Sequence, residues 1–188
     1  RDSRFVFLAN THPAGQMELL SQFPRRKLAV ADTMDLWINN EQATLRKLLK
    51  KIDGLVLNDS EAYQLTGETN LVLAASAVMK MGPSFVVVKK GEHGSLLMHK
   101  NGAVMLSAWP AHNVVDPTGA GDSFAGGMMG YLASNGSLTL PALKRAIAYG
   151  TVVASYNIEA FSLGRLMQIK RRDVDKRFKQ YAKMLGLD

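Results

Sequence analysis

Short apolar runs alternate with segments of helical spacing along the first ninety residues of the chain. Four runs predict strands, at 5–10, 27–32, 54–58 and 84–90. The segments between them predict helices, at 13–23, 39–52 (with Asn40 as a plausible cap), 59–67 and 70–82. Because the strand runs are apolar at nearly every position, they predict a parallel sheet that helices cover on both faces.

The pattern changes after residue 90. Asn101-Gly102 separates two short apolar runs in "GSLLMHKNGAVMLSAWP", which predicts a β-hairpin. Three helical segments follow: one that starts in "GAGDSFAGG", an apolar one at 142–160 and an amphipathic one at about 172–186. There is neither an internal repeat nor a linker, so the sequence predicts one α/β domain over residues 1–188.

Composition narrows the classes of partner. The net charge is +7, but the basic residues are concentrated at 45–51 and 170–184, where they read as solvated faces of amphipathic helices. We therefore expect no nucleic-acid partner. The chain has no cysteine, which excludes disulfides and thiolate zinc sites, and no apolar run of membrane-spanning length. We expect a cytoplasmic protein with no membrane partner.

The stretch "NVVDPTGAGDSFAGG" carries the clearest chemistry. Gly119, Ala120 and Gly121 lie where an apolar run gives way to a helix. Small residues let backbone N–H groups approach a ligand, and a helix N-terminus favours an anion. Asp122 follows in the first helical turn, either as a helix cap or as a general base beside an anion pocket. A cap alone does not account for the whole run, so the sequence favours a base for phosphoryl transfer.

The run "DPTGAGDSFAGG" resembles the C-terminal signature of the ribokinase-like, PfkB-type carbohydrate kinases. The resemblance implies that Asp122 is the catalytic base and that the backbone of Gly119, Ala120 and Gly121 forms the anion hole. It also implies that ATP is the phosphoryl donor. Asp116, the first acid of the run, would help to bind a monovalent cation such as K⁺.

A second segment matches in the expected order. "LNDSEA" contains Asn58 and Glu61 in a spacing similar to the Asn-x-x-Glu motif of this family, which implies a role with Mg²⁺ and phosphates, largely through water. Mg²⁺ prefers oxygen ligands and keeps several waters, so one carboxylate near the ion suffices. A helix cap made by Asn58 or Asp59 explains the same residues.

A third segment resembles the strand and turn that lie against the nucleotide. In "VVVKKGEHGSLL" the resemblance places Lys89, Gly91 and Gly94 at ATP contacts. A lysine at the end of a buried strand is costly unless it meets an anion, which suits a phosphate. The alternative is a hairpin with two glycines and a lysine whose charged end reaches solvent.

Two weaker matches concern the adenine and the substrate. "AIAYGTVVASYNIEAFS" resembles the helix that walls the adenine pocket, with Gly150, Thr151 and Ala154 on that face, although core packing explains these residues as well. "VADTMDLW" is similar to a variant of the Asp-Pro-Asn-x-Arg…Trp strand end of the family. Asp32 and Trp37 match it, which makes Asp32 a candidate substrate contact, and the absent Pro, Asn and Arg leave the substrate open.

The resemblance extends over this chain but implies only the C-terminal, nucleotide-binding portion of a family member. The expected fold is a three-layer ribokinase-like fold, with a mainly parallel sheet flanked by helices and a β-hairpin. The N-terminal strands, the Gly-Gly substrate motif and the lid are not found in the sequence. We expect an exposed sheet edge that either a second copy of the chain or an N-terminal segment covers, and a chain that by itself is a poor kinase.

The implied function is ATP-dependent phosphorylation of a hydroxymethyl group on a small sugar or related molecule. Two alternatives stay open. The first is the same chemistry on a nucleoside, and the second is a nucleotide-binding module without turnover.

Overall fold

The computed structural model describes residues 2–186, which form six strands and eight α-helices. The strands are β1 (Phe5–Leu8), β2 (Leu28–Asp32), β3 (Gly54–Asn58), β4 (Phe85–Lys89), β5 (Ser95–His99) and β6 (Gly102–Leu106). The helices are α1 (Pro13–Ser21), α2 (Asp35–Asn40), α3 (Gln42–Leu49), α4 (Asp59–Thr66), α5 (Leu71–Lys80), α6 (Ala120–Asn135), α7 (Leu140–Asn157) and α8 (Arg171–Leu185). None of these helices is both long and apolar enough to cross a membrane.

The contacts divide the chain into two compact units. The first contains the residues up to Lys90 together with Ser95–Met105, and the second contains Gly91–Gly94 together with the residues from Leu106 onward. That residues 1–188 act as one domain stays a prediction.

The sheet has the order β1-β2-β3-β4-β5-β6. Strands β1 to β4 are parallel, and β5 returns antiparallel to β4. The predicted hairpin is present: its turn is Lys100-Asn101, and Gly102, with a φ of +136°, is the first residue of β6. The expected fold class, a mainly parallel sheet with flanking helices and a β-hairpin, is confirmed. Strand β1 lies at one edge of the described sheet.

Five helices pack on one face of the sheet. Alternate residues of the strands point to this face and form one core cluster with buried residues of α1, α2, α3, α4 and α5. The strand residues are Val6, Leu8, Ala29, Ala31, Leu55, Leu57, Val86, Val88 and Leu96. Each buried leucine or valine contributes about 1.5–3 kcal/mol relative to an exposed one. This packing fixes where each strand ends, and the strand ends carry the polar residues described below.

The helix predicted at 39–52 is present as the shorter α3 (Gln42–Leu49). The expected Asn40 cap is wrong, because Asn40 is the last residue of α2, and Glu41 separates α2 from α3 with φ −128° and ψ 30°. The sequence did not predict α2, a short helix that has no side-chain cap and buries Ile38. The strand predicted at 5–10 ends at Leu8.

In the second unit, α6 and α7 pack at close range because glycines lie at their crossing. A Cβ built on Gly127 would lie 2.8 Å from Val153 Cγ2, and one built on Gly150 would lie 2.6 Å from the backbone oxygen of Phe124. Helix α8 closes on the other side of α7, where the Phe178 ring stacks on Tyr149 at 4.0 Å. This packing fixes the position of the N-terminus of α6.

Candidate functional site

The first unit brings three polar residues to one edge of the sheet. Asp32, Asn58 and Lys89 are the last residues of β2, β3 and β4. Lys89 lies beside Asn58 in the parallel ladder, and its Nζ lies 3.5 Å from Asp32 Oδ2. Ligands of open parallel sheets bind at the carboxyl ends of the strands, so this edge is the candidate site of the first unit.

Asn58 and Glu61 form a capping box at the start of α4. The Asn58 Oδ1 accepts a hydrogen bond from the Glu61 N–H at 2.8 Å, and Glu61 Oε2 accepts one from the Asn58 N–H at 2.7 Å. The neighbouring Asp59 accepts the N–H of Ser60 instead. Asn58 therefore caps α4, as one of the two interpretations expected. Only Oε2 of Glu61 takes part in the capping box.

Burial raises the pKa of the Glu61 carboxyl above its ordinary value. The backbone N–H of Asn58 and the charge of Lys89 act against that rise, while Asp32 and Asp35 add to it. Two carboxylates and one ammonium group thus lie within electrostatic reach of Glu61.

The carboxylate oxygens at this edge suit a magnesium ion that takes most of its ligands from water and from phosphate. Within residues 2–186, no group of three or more His, Cys, Asp or Glu side chains is arranged to hold a metal. Asp32 and Glu61 offer carboxylate oxygens, the donor type that Mg²⁺ prefers. The remaining ligands would be water and phosphate oxygens, so the residues present fit the ion without forming a complete protein cage.

Gly94 is a glycine for reasons of packing in the second unit. It has a φ of +91°, and a Cβ built on it would lie 2.0 Å from the backbone oxygen of Leu106. Gly91 begins a 3₁₀ turn (Gly91–His93) at a φ of +55°. The conformation of this turn requires glycine at both positions. That either glycine contacts a nucleotide stays a prediction.

The second unit presents the Gly-Ala-Gly turn at the start of α6. Gly119 is the N-cap with a φ of +78°, a conformation that favours glycine, and no side chain of the described chain caps this helix. Asp122 is exposed in the first turn. The Ala120 N–H donates to the Pro117 carbonyl at 3.1 Å, whereas the Gly119 and Gly121 N–H groups have no acceptor among the described residues. These two N–H groups can meet an anion, with the Asp122 carboxylate close by in the sequence.

Asn157 holds this turn in place, a role that the sequence motifs did not indicate. The residue is 1% exposed, its Nδ2 donates to the Thr118 carbonyl at 2.7 Å, and its Oδ1 accepts from Ser123 Oγ at 3.0 Å. One buried amide thus bridges the two sides of the Gly119–Asp122 turn. An asparagine that closes an apolar helix was the available signal, but it does not indicate which segment the amide meets.

Asp116 ties the turn to the segment after α7. Its Oδ1 accepts from the Thr118 N–H at 2.9 Å and its Oδ2 accepts from the Ser162 N–H at 3.2 Å. Hydrogen bonds from the Thr118 side chain and backbone and from Ser162 lower the pKa of this carboxyl. Ser162 has a φ of +54°, and Asp116 holds it there. The carboxylate stays charged, which a cation ligand needs, and its predicted cation role stays a prediction.

The predicted adenine-wall residues lie on α7. Gly150 is buried against Phe124, which the close approach of α6 explains. Thr151 Oγ1 donates to the Ile147 carbonyl at 3.0 Å, and Ala154 is half-buried. Packing accounts for Gly150, and the adenine contacts of all three residues stay predictions.

Comparison with known proteins gives the class. The sequence profile described as "pfkB family carbohydrate kinase" matches residues 26–169. This chain belongs to the pfkB family of carbohydrate kinases.

Several curated relatives are named as kinases of nucleosides, sugars or polyols. The chain is 28% identical to a cytidine kinase of Thermococcus kodakarensis over 132 residues, which cover 68% of this chain and 47% of that protein. It is 31% identical to an inositol 3-kinase of Arabidopsis thaliana over 195 aligned residues, which cover 95% of this chain and 52% of that one. The chain spans about half the length, or less, of the curated relatives that it matches.

Solved structures share the fold. The aminoimidazole riboside kinase of Salmonella enterica, in complex with aminoimidazole riboside and an ATP analog, superposes with a TM-score of 0.79 at 18% identity, covering 95% of this chain and 64% of that chain. A fructokinase double mutant from Vibrio cholerae O395, with fructose, ADP and potassium bound, gives 0.77 at 17% identity, covering 94% and 61%. At these identities the likeness concerns the fold alone.

Proposed function

We propose that the protein to which this chain belongs transfers the terminal phosphoryl group of ATP to a hydroxymethyl group of a small sugar or related molecule. The observation that carries the proposal is the turn at the start of α6. There Gly119 adopts the left-handed conformation, no described side chain caps the helix, and Asp122 stands in the first turn. An uncapped helix N-terminus beside a carboxylate supplies both an anion site and a base.

Asp122 acts as the general base. Its carboxylate accepts the proton of the acceptor hydroxyl as that oxygen forms a bond to the γ-phosphorus. The bond from phosphorus to the β–γ bridging oxygen breaks, so ADP leaves with the electron pair. The exposure of Asp122 supports this role, because an incoming hydroxyl can reach it.

The backbone N–H groups of Gly119 and Gly121 stabilise charge on the transferring phosphoryl group, while the Ala120 N–H, which was also expected to do so, donates to the Pro117 carbonyl at 3.1 Å. Such donors act best when they need no rearrangement at the moment of reaction. Asn157 supports this role because it fixes the turn through Thr118 and Ser123.

The strand ends of the first unit bind the phosphates. The Lys89 ammonium binds phosphate oxygens, and Asn58 and Glu61 are the residues that would hold a metal ion, largely through water. Mg²⁺, when bound with the nucleotide, would screen the phosphate charge. The carboxylate oxygens of Asp32 and Glu61 and the Lys89 ammonium at the strand ends support the assignment.

The remaining predicted contacts complete the proposal. Gly91, Gly94, Gly150, Thr151 and Ala154 bind the nucleotide. Asp116 binds a monovalent cation such as K⁺, a role that its lowered pKa supports. The protein is cytoplasmic, its partners are small molecules, and an N-terminal segment or a second copy covers the edge at β1.

The test of the proposal is Asp122→Asn in the whole protein. We expect turnover to fall by about 10²–10⁴-fold, the usual contribution of a general base, with ATP affinity nearly unchanged. Asp173→Asn is a matched control, because Asp173 is also an acid in the first turn of a helix of the second unit and accepts the Lys170 N–H at 2.8 Å. Near-normal turnover in Asp122→Asn, or an equal loss in both variants, would reject Asp122 as the base.

A nucleoside is the second candidate acceptor. The similarity to a cytidine kinase over 68% of this chain favours it, together with the departure of the residues after Asp32 from the sugar-kinase pattern. A panel of pentoses, hexoses and nucleosides separates the two acceptors by kcat/KM. A nucleotide-binding module without turnover is the third candidate, and calorimetric ATP binding with no acceptor consumed would favour it.

A further inference from the structure

A buried ion pair lies at the carboxyl ends of β2 and β4. Asp32 Oδ2 lies 3.5 Å from Lys89 Nζ, and the two side chains are 7% and 22% exposed. The other oxygen, Asp32 Oδ1, accepts the Thr33 N–H at 2.8 Å. A charge-assisted hydrogen bond at its optimum measures about 2.7–2.9 Å. Asp32 is therefore fixed by the backbone through one oxygen, and it holds Lys89 loosely through the other.

A hydroxyl group without a partner lies on the same face of the sheet as Lys89. Ser95 is the residue directly opposite Lys89 in the antiparallel β4–β5 ladder, and directly opposed side chains point to the same face. Ser95 is 4% exposed, and its hydroxyl has no hydrogen-bond partner among the described residues. The same holds for the hydroxyl of Thr33, next to Asp32. The surroundings of the pair thus contain unused buried polar groups, so Lys89 is not locked to one partner.

The charges around Glu61 do not balance. Asp32, Asp35 and Lys89 all act electrostatically on the Glu61 carboxyl. Three carboxylates against one ammonium leave an excess of two negative charges when all are ionised. A nucleotide, itself a polyanion, is repelled by this excess unless a dication accompanies it.

We propose that Asp32 makes nucleotide binding depend on a divalent cation, by holding Lys89 until the cation–nucleotide complex reaches the strand ends. The inference rests on the proposed function, since it takes a nucleotide as the ligand. Without nucleotide, the Lys89 ammonium pairs with Asp32. When the complex binds, Lys89 would transfer to a phosphate oxygen, and the Asp32 and Glu61 carboxylates are the groups that would hold the dication.

The experiment measures ADP binding by calorimetry, with Mg²⁺ and with EDTA, in the whole protein. ADP is used because no turnover follows. Mg²⁺ should strengthen ADP binding to the unmodified protein on the order of tenfold or more, within the range of typical couplings between two ligands. In Asp32→Asn this ratio should fall below about threefold, because metal-free ADP no longer competes with a carboxylate for Lys89.

Asp59→Asn is the matched control. It removes one negative charge from the same edge, but Asp59 accepts a neighbouring backbone N–H and is not among the groups that act on Glu61. We expect it to keep the Mg²⁺ dependence of the unmodified protein. If it loses that dependence as Asp32→Asn does, any nearby charge suffices and the specific role of Asp32 is rejected.

For a second variant we expect the opposite change in the Mg²⁺ dependence of ADP binding. Lys89→Met removes the ammonium and leaves the carboxylates unopposed, so the Mg²⁺ dependence should increase. The inference is rejected if the ratio of ADP affinities with and without Mg²⁺ is unchanged in Lys89→Met or in a folded Asp32→Asn. Asp32 would then only accept the Thr33 N–H. ADP binding of equal strength with and without Mg²⁺ in the unmodified protein would overturn the inference and leave the proposed function standing. No ADP binding at all would overturn the proposed function itself.

Discussion

At the scale of single residues, Glu61 stabilises the start of α4 although its surroundings disfavour a charged carboxylate. Its carboxylate caps α4 through the Asn58 N–H, while burial and two neighbouring acids raise its pKa. The folded protein therefore binds a proton at Glu61 more tightly than the unfolded chain does. The stability that this residue contributes falls as the pH rises from its ordinary pKa through the raised one.

Glu61→Gln should therefore raise the free energy of unfolding at neutral pH. The Gln side-chain oxygen still accepts the Asn58 N–H, and the cost of the buried charge disappears. The advantage should shrink as the pH falls below the ordinary glutamate pKa, where Glu61 is protonated in both states. Urea unfolding of both proteins between about pH 4 and 8 measures this difference. A constant difference across that range would contradict a raised pKa.

The pairs that matter at this scale connect residues far apart in sequence. Asn157 meets Thr118 across 39 residues, and Lys89 meets Asp32 across 57. Motif spacing indicated Asp122 and the glycines before it, because they form one continuous run. It could not indicate Asn157 or the Asp32–Lys89 pair, because those contacts depend on how helices and strands pack.

At the scale of elements, the apolar patterns predicted the sheet well. Strands β2 and β4 are buried almost throughout, so their continuous apolar runs were a sufficient signal. The boundary between α2 and α3 was missed because "NNEQ" reads as a helix start, whereas Asn40 ends α2 and Glu41 precedes α3. Short helices without side-chain caps leave little trace in the sequence.

The close crossing of α6 and α7 gives an element-scale prediction. Gly150→Ala would place a Cβ 2.6 Å from the Phe124 backbone oxygen, so the helices must move apart. We expect a loss of about 1–3 kcal/mol in the free energy of unfolding, typical of overpacking. Denaturant unfolding measures it.

Gly130→Ala is the control for this prediction. Gly130 lies in α6, and nothing lies within 4 Å of a Cβ built there. Alanine should stabilise the helix by about 0.5–1 kcal/mol relative to glycine. Equal effects of the two substitutions would mean that the crossing is not tightly packed.

At the scale of the whole molecule, each unit carries its own part of the proposed chemistry. The first presents Lys89 and the carboxylates at the strand ends, and the second presents Asp122 at the uncapped start of α6. The chain spans about half the length of the cytidine and inositol kinases that it matches, and the position of the substrate-binding part stays a prediction. The substrate therefore could not be predicted from the sequence, although the class of chemistry could.

The central claim is that the whole protein moves a phosphoryl group from ATP to a hydroxymethyl group. Phosphorus NMR with ATP, Mg²⁺ and a panel of sugars, inositol and nucleosides tests it most directly. The account predicts a phosphomonoester of one acceptor class that accumulates together with an equal amount of ADP. ADP that appears with inorganic phosphate alone, or no consumption of ATP with any acceptor, would contradict it.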